Sequence, residues 1–253
     1  MCLILFAWKV RKDYPLILAA NRDEFYNRPT APMQWWEDQP NLLAGKDLQA
    51  GGTWMGVNKS GKFAAITNYR QFPITETFAT SRGSLVKDYL TDNQLTPAAY
   101  LKRLEEEGDG YDGFNLLFGT TDELFYYSNK GGQAGQVAPG VHGLSNHLLD
   151  TNWPKVEKGR AALEKQLQKD TIKEEEYLPL LGDRQIAPDE HLPDTGIGLE
   201  KERWLSAMYI SSEGYGTRCS TIMTINENKQ FTLLEKGHHP ESYNRFFFTA
   251  EGA

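Results

Sequence analysis

Two short apolar runs open the chain: CLILFAW at 2–8 and PLILAA at 15–20, separated by a charged segment holding Lys9, Arg11, Lys12 and Asp13. Neither approaches the ~20 apolar residues needed to span a bilayer. A secretory leader would put basic residues before its apolar core and a small-residue cleavage site after it. Here the apolar run comes first and a second one follows, which predicts two strands joined by a polar turn and a structural N-terminus. The expected location is the cytoplasm.

Similar signals continue along the chain. Residues 54–58 and 63–68 are expected to form a hairpin closed by Lys59-Ser60-Gly61, with glycine free to take the positive φ of a tight turn. Residues 81–90 and 97–107 read as amphipathic helices. The second has Thr96 as N-cap, Pro97 in the first turn and Gly108 as a stop. Strands are expected at 114–119, 124–128 and 140–145. A helix over 154–169 and helical pieces near 174–181 and 199–208 follow, around a long loop at 182–198. Final strands are expected at 218–226 and 230–236, joined by Glu227-Asn228-Lys229, with an edge at 245–249. This order predicts an α+β fold of mainly antiparallel sheets packed by helices. No repeat, low-complexity tract or Pro/Ser-rich linker divides the 253 residues, so one domain is expected.

Composition narrows the partners. Hydrophobic residues make up 40% and charged residues 24%, a globular rather than disordered balance. The net charge of −7 argues against a generic nucleic-acid binder or a basic membrane-surface protein. The partner expected is a small molecule; the oligomeric state is left open.

The two cysteines, Cys2 and Cys219, are too few for a disulfide framework, and neither has a C-x-x-C neighbour. At least one free thiol is expected. Cys2 has two readings. It is either a small hydrophobe in a buried strand or, once the initiator Met1 is removed, a nucleophile with its own base. An α-amino group titrates at about 7.7–8.0 and lies within reach of its own thiol, directly or through one water.

Polar residues at four places favour the second reading. Asn21-Arg22-Asp23-Glu24 ends the second strand, where alternation puts Asn21 and Asp23 on one side and Arg22 and Glu24 on the other. One of these pairs is expected to face Cys2. Asp23 would hold the new amino terminus, and Arg22 would depress the thiol pKa. Asn68, at a hairpin end, is either a turn residue or an oxyanion donor. Asn146 is either a loop residue or cap, or part of the same site. Arg218, expected at the head of an apolar strand, needs a partner because a lone buried charge is costly.

These blocks together resemble the NRDE family, the transport-and-Golgi-organisation proteins. The blocks are MCLILFAW at the start, NRDEFYNRPT at 21–30, LLAGKDLQAGGTWMGVNKSGKFAAITNYR at 42–70 and GTRCSTI at 216–222. At longer range the pattern is similar to the choloylglycine and penicillin-V acylases, which are N-terminal-nucleophile (Ntn) hydrolases. That resemblance implies a four-layer αββα sandwich, with Asn68 as oxyanion donor, Asn146 as the second Asn and Arg218 as the late Arg. One departure stands out. Those acylases carry Arg a few positions before Asp, where this chain has Ala20, so the role of Arg22 stays open.

The function expected is hydrolysis of a linear amide bond in a small acyl-amide, with Cys2 as nucleophile and Asn21, Arg22, Asp23, Asn68, Asn146 and Arg218 around it. No cofactor or metal is called for. The alternative is a non-catalytic binding or transfer protein for a hydrophobic or amphipathic molecule, haem or an acyl-lipid, on the same scaffold. Trp35-Trp36 and Trp54 suit either an apolar pocket or the core, and His238-His239 suits either haem ligation or a solvated loop. A structural or adaptor role is the third possibility. Gly51-Gly52-Thr53 lacks the residues of a phosphate loop, so nucleotide binding is not expected.

Overall fold

The computed structural model describes residues 2–73 and 78–251, with only the backbone of Cys2. The first two strands, β1 (Cys2–Trp8) and β2 (Leu16–Phe25), form the expected hairpin, in register from Trp8↔Leu16 to Cys2↔Arg22. Their continuous apolar character follows from burial on both faces. Ile4, Phe6, Leu16, Leu18 and Ala20 face one core, and Leu3, Leu5, Ala7, Ile17 and Ala19 face another. The second sheet supplies the other side of the first core, and helices supply the other side of the second.

Four strands follow β2 before the next helices, β3 (Thr30–Trp35), β4 (Leu42–Asp47), β5 (Met55–Asn58) and β6 (Phe63–Asn68), and β7 (Phe114–Gly119) comes after two helices. With β8 (Leu124–Ser128) and β9 (Gly135–Gln136) they make a seven-stranded antiparallel meander in sequence order. The other sheet places β10 (Gly140–Leu144) beside β1. On the far side of β2 lie β11 (Tyr215–Ile225), β12 (Gln230–His238) and β13 (Glu241–Thr249).

Helices α1 (Gly83–Thr91) and α2 (Pro97–Glu107) pack Val86, Tyr89, Leu90, Tyr100 and Leu104 on the meander's outer face. On the opposite side, α3 (Pro154–Leu167) and α4 (Leu178–Leu181) pack Val156, Leu163, Leu167 and Leu181 on the β1–β2–β11 surface. A short α5 (Leu199–Leu205) buries Leu205 against Ile210 and Tyr215. The layers are therefore helix, sheet, sheet, helix, as expected. No helix among the described residues is long and apolar enough to cross a membrane.

Local chemistry matches several expectations. Thr96 Oγ1 accepts from the Ala99 amide at 3.2 Å, capping α2 ahead of Pro97. Gly61 has φ +85° in the β5–β6 turn. Gly108 ends α2 with φ −60°, so left-handed backbone is not the reason for glycine there. A Cβ would lie 2.6 Å from the Tyr127 hydroxyl, and the strand beneath admits no side chain.

Other expectations need correction. The segment expected at 199–208 is helical only to Leu205, and 174–181 divides into a 3₁₀ turn, Glu174–Tyr177, followed by α4. Strands β3 and β4 were not expected at all. The edge expected at 245–249 is a full nine-residue strand. Arg218 lies inside β11, at a bulge between Thr217 and Cys219, and not at its head.

Candidate active site

The first eight residues of β2 are buried, so its polar end, Asn21 to Asp23, enters the interior instead of water. Alternation then separates the side chains as expected. Asn21 turns to the helical layer. Its amide nitrogen donates to the carbonyls of Leu181 (2.9 Å) and Met208 (2.8 Å), and its oxygen accepts from Ser220 Oγ at 2.6 Å. Both of its N–H donors are used in fastening α4 and the 206–208 segment to the sheet.

Asp23 is also buried. It accepts from Thr217 Oγ1 at 2.7 Å, and its main-chain carbonyl accepts from the Tyr215 hydroxyl at 3.2 Å. Burial pushes its carboxyl pKa up, opposed by the charges of Lys155 and Arg22 and by the Thr217 hydrogen bond. Lys155, 3% exposed, was not anticipated. It follows Pro154 on the buried face of α3, and a charged residue beside the apolar positions 156, 159 and 163 was the available signal.

Arg22 takes the other face. Its guanidinium lies 4.0 Å from the centroid of the Trp54 ring. The register sets it opposite both Cys2 and Cys219, so both cysteines of the chain pair with one arginine across three strands. The side chain of Cys2, and Met1 before it, lie outside the described residues. Nearby Glu235 is 1% exposed. One oxygen accepts from the Met33 amide at 2.7 Å. Burial pushes the Glu235 carboxyl up, against the Met33 and Cys219 hydrogen bonds and the charge of Arg22. A glutamate directly after Phe231-Thr232-Leu233-Leu234 was its sequence signal.

The ends of β6 and β10 meet at two asparagines. The Asn146 amide nitrogen donates to the Asn68 carbonyl at 3.0 Å, and the Arg70 amide donates to the Asn146 carbonyl at 2.7 Å. Asn146 is fully buried and thus pins the end of one sheet to the other. The Asn68 carboxamide makes no hydrogen bond among the described residues and lines a cleft of about 580 Å³. Glu24 and Phe25, the residues after Asp23 in β2, line the same cleft. So do Tyr69, Phe72, Trp204 and Tyr215 as aromatic walls, with Arg82 and Lys201 among the charged groups. These walls escaped the sequence reading because they come from segments distant in sequence.

Arg218 does not line the Asn68 cleft but a small cavity shared with Arg22, Trp54, Cys219 and Glu235. Its Nε donates to the His239 carbonyl (2.7 Å), and Nη1 donates to those of Phe25 (2.7 Å), Tyr26 (3.3 Å) and Arg28 (3.0 Å). Nη2 donates to Thr30 Oγ1 at 3.0 Å. This guanidinium organises the β2–β3 turn and ties it to the β12–β13 turn. His238 and His239 diverge: the first contacts Ser220 Oγ at 3.0 Å, and the second lies over Tyr26 with ring centroids 4.3 Å apart. Trp35 packs on Phe248, and buried Trp36 donates its ring N–H to the Ala44 carbonyl, so both serve the core.

The architecture defines the fold class, an α+β sandwich of the Ntn-hydrolase type. A variant of the conjugated bile acid hydrolase from Clostridium perfringens superposes with a TM-score of 0.56, covering 96% of this chain and 92% of that one at 9% identity. The N-acylethanolamine-hydrolyzing acid amidase ortholog of Caenorhabditis elegans superposes with a TM-score of 0.50, covering 88% and 92% at 11% identity. Within that class the chain belongs to the Transport and Golgi organisation 2 family, whose model matches residues 1–240. The Transport and Golgi organization 2 homologs of Mus musculus and Homo sapiens are each 36% identical to it, over 93% of this chain and 92% of theirs. The Drosophila melanogaster protein is 26% identical over the same shares.

Proposed function

We propose that this protein hydrolyses a linear amide bond in a small amphipathic acyl-amide, with Cys2 as nucleophile after removal of Met1. The observation that carries the proposal is a juxtaposition. Position 2 of β1 pairs with Arg22, next to buried Asp23, and the strand leads directly into the cleft where Asn68 presents an unengaged carboxamide.

The steps balance without a cofactor. The Cys2 amino group takes the thiol proton, and the thiolate attacks the amide carbon. The oxygen of the tetrahedral intermediate gains the negative charge and accepts from the Asn68 amide nitrogen. The C–N bond breaks as the ammonium returns its proton to the leaving amine, giving a thioester. Water then attacks, giving up a proton to the same amino group; the C–S bond breaks, the proton returns to sulfur, and the carboxylic acid departs. Arg22 favours the thiolate by its charge, and Asp23 orients the amino group. The aromatic walls of the cleft suit the acyl part of such a substrate. The assignment of a substrate class rests on this lining and on the fold's likeness to amide-bond hydrolases.

Turnover of a panel of acyl-amides tests the proposal, using protein whose intact mass shows that Met1 is absent. Wild type is expected to turn over at least one member, Cys2→Ala none, and Asn68→Ala roughly 10²–10³-fold more slowly. A processed wild type inert on the whole panel, yet binding its members in the cleft, would overturn hydrolysis in favour of a carrier.

A further inference from the structure

On the face of the first sheet opposite Arg22, a groove of about 400 Å³ opens between the β11–β12 surface and residues 175–184. Its floor is a hydrogen-bond chain whose direction can be worked out atom by atom. The Asn21 amide nitrogen donates to two carbonyls, so the carboxamide oxygen must be the atom facing Ser220. That oxygen only accepts, so Ser220 spends its one proton on it at 2.6 Å. The contact between Ser220 Oγ and His238 Nε2, at 3.0 Å, then requires His238 to donate. His238 is therefore protonated on Nε2, with a free lone pair on Nδ1. A serine nucleophile would need a histidine that accepts its proton, and this arrangement is the reverse.

What the groove offers instead is positive charge. Lys236 pairs with Ser220 across the β11–β12 ladder and lines the groove beside His238. The Arg184 guanidinium lies 4.5 Å from the centroid of Tyr209, and the Tyr209 ring meets His238 edge-on, centroids 5.0 Å apart at 83°. Among the described residues neither Arg184 nor Lys236 forms an ion pair. Glu175, the carboxylate lining the groove, is held by Arg245 at 2.6 Å. Two cations without an ion-pair partner among the described residues thus line one groove of a chain with net charge −7. Burial lowers the His238 pKa to about 4, with Lys236, His239 and Arg184 adding to the effect against Glu241.

We propose that this groove binds the phosphate of an organic phosphate monoester, with Arg184 and Lys236 donating to the dianion. A dianion matches both cations, whereas a carboxylate leaves one unmatched. The guanidinium resting on Tyr209 is preorganised for oxygen recognition. Leu178 and Pro179, on the rim, give the carbon part of the ester an apolar surface. The site is independent of Cys2 and of the amidase proposal.

The test titrates full-length protein with glycerol 3-phosphate, inorganic phosphate and acetate at matched ionic strength. Binding is followed by NMR at the His238 ring and the Tyr209 amide. Saturable shifts are expected with both phosphates and not with acetate, and the His238 pKa is expected to rise on binding, since a bound dianion favours the imidazolium. Arg184→Met and Lys236→Met are each expected to weaken affinity roughly tenfold. Both side chains are exposed, and unchanged circular dichroism would confirm folded variants. Sedimentation with phosphatidylcholine vesicles, with and without phosphatidic acid, separates a lipid headgroup from a soluble ester. No saturable shift in wild type, or shifts that survive in the double variant, would overturn the proposal.

Discussion

Two side chains singled out in the sequence, buried Arg218 and half-buried Asn68, do opposite work. Arg218 uses its donors on four carbonyls and a hydroxyl, so truncation strands those acceptors in a partly buried place. Arg218→Ala is expected to lower stability by about 3 kcal/mol, with Arg218→Lys recovering only a fraction because an ammonium cannot reach such divergent carbonyls. Urea midpoints check this; a neutral Arg218→Ala would remove the structural role. Asn68 is the reverse case, since its carboxamide holds nothing together. Asn68→Ala is expected to leave the unfolding free energy within about 0.5 kcal/mol of wild type while abolishing most turnover. Asn146→Ala should affect both properties, because its amide nitrogen holds the Asn68 carbonyl. Reading residue types finds all three positions, but only the contacts separate a clamp from an open donor.

Among the elements, those with a strong local pattern were legible. The β1–β2 hairpin, the β5–β6 turn and the Thr96-capped α2 follow from apolar runs, glycine and capping chemistry close in sequence. Strands β3 and β4 were hidden because β3 is an edge strand that contains Pro32, has a pairing irregularity between Ala31 and Gln34, and buries only Met33. The wall of the cleft was hidden for a different reason, since residues 69–72 and 201–215 share no local pattern. The junction of β10 and α3 carries a pH-dependent contact that was equally invisible. Burial opposes a charged His142, but Asp150 at 2.7 Å and the Ala138 carbonyl outweigh it and raise the ring pKa. A raised folded-state pKa contributes stability that is fully present below the unfolded value of about 6.5. That contribution is lost as pH rises through the folded pKa. Asp150→Asn should therefore cost more stability near pH 6 than near pH 9. Denaturation of both proteins at the two pH values checks the sign, and an equal cost at both would refute the pairing.

For the whole molecule, one of the contacts that join the cleft wall to the sandwich is a buried ion pair. Arg70 leaves the end of β6 and pairs with Glu202 of α5 at 2.9 Å, both side chains 3% exposed or less. The same guanidinium lies 4.5 Å from the centroid of Trp153, ahead of α3. Glu202 in turn accepts from the Thr195 amide (3.0 Å) and hydroxyl (2.5 Å), while the Phe72 amide donates to the Thr195 carbonyl at 2.8 Å. One buried pair thus links the meander, α5 and the 194–196 segment around the cleft. Removing one partner leaves the other charge buried without its counter-charge, a loss of about 3–5 kcal/mol, whereas replacing both with apolar residues costs much less. Arg70→Met and Glu202→Leu should each be strongly destabilising and the double variant milder than either, a coupling that a double-mutant cycle measures. Hydrogen exchange adds a spatial check. In Arg70→Met, protection should fall first at residues 194–205, while the amides of β1, β2 and β11, buried between two layers, keep theirs. Uniform loss across both regions would mean that wall and sandwich open as one cooperative unit, and the cleft could then not reshape around a ligand without the core unfolding as well.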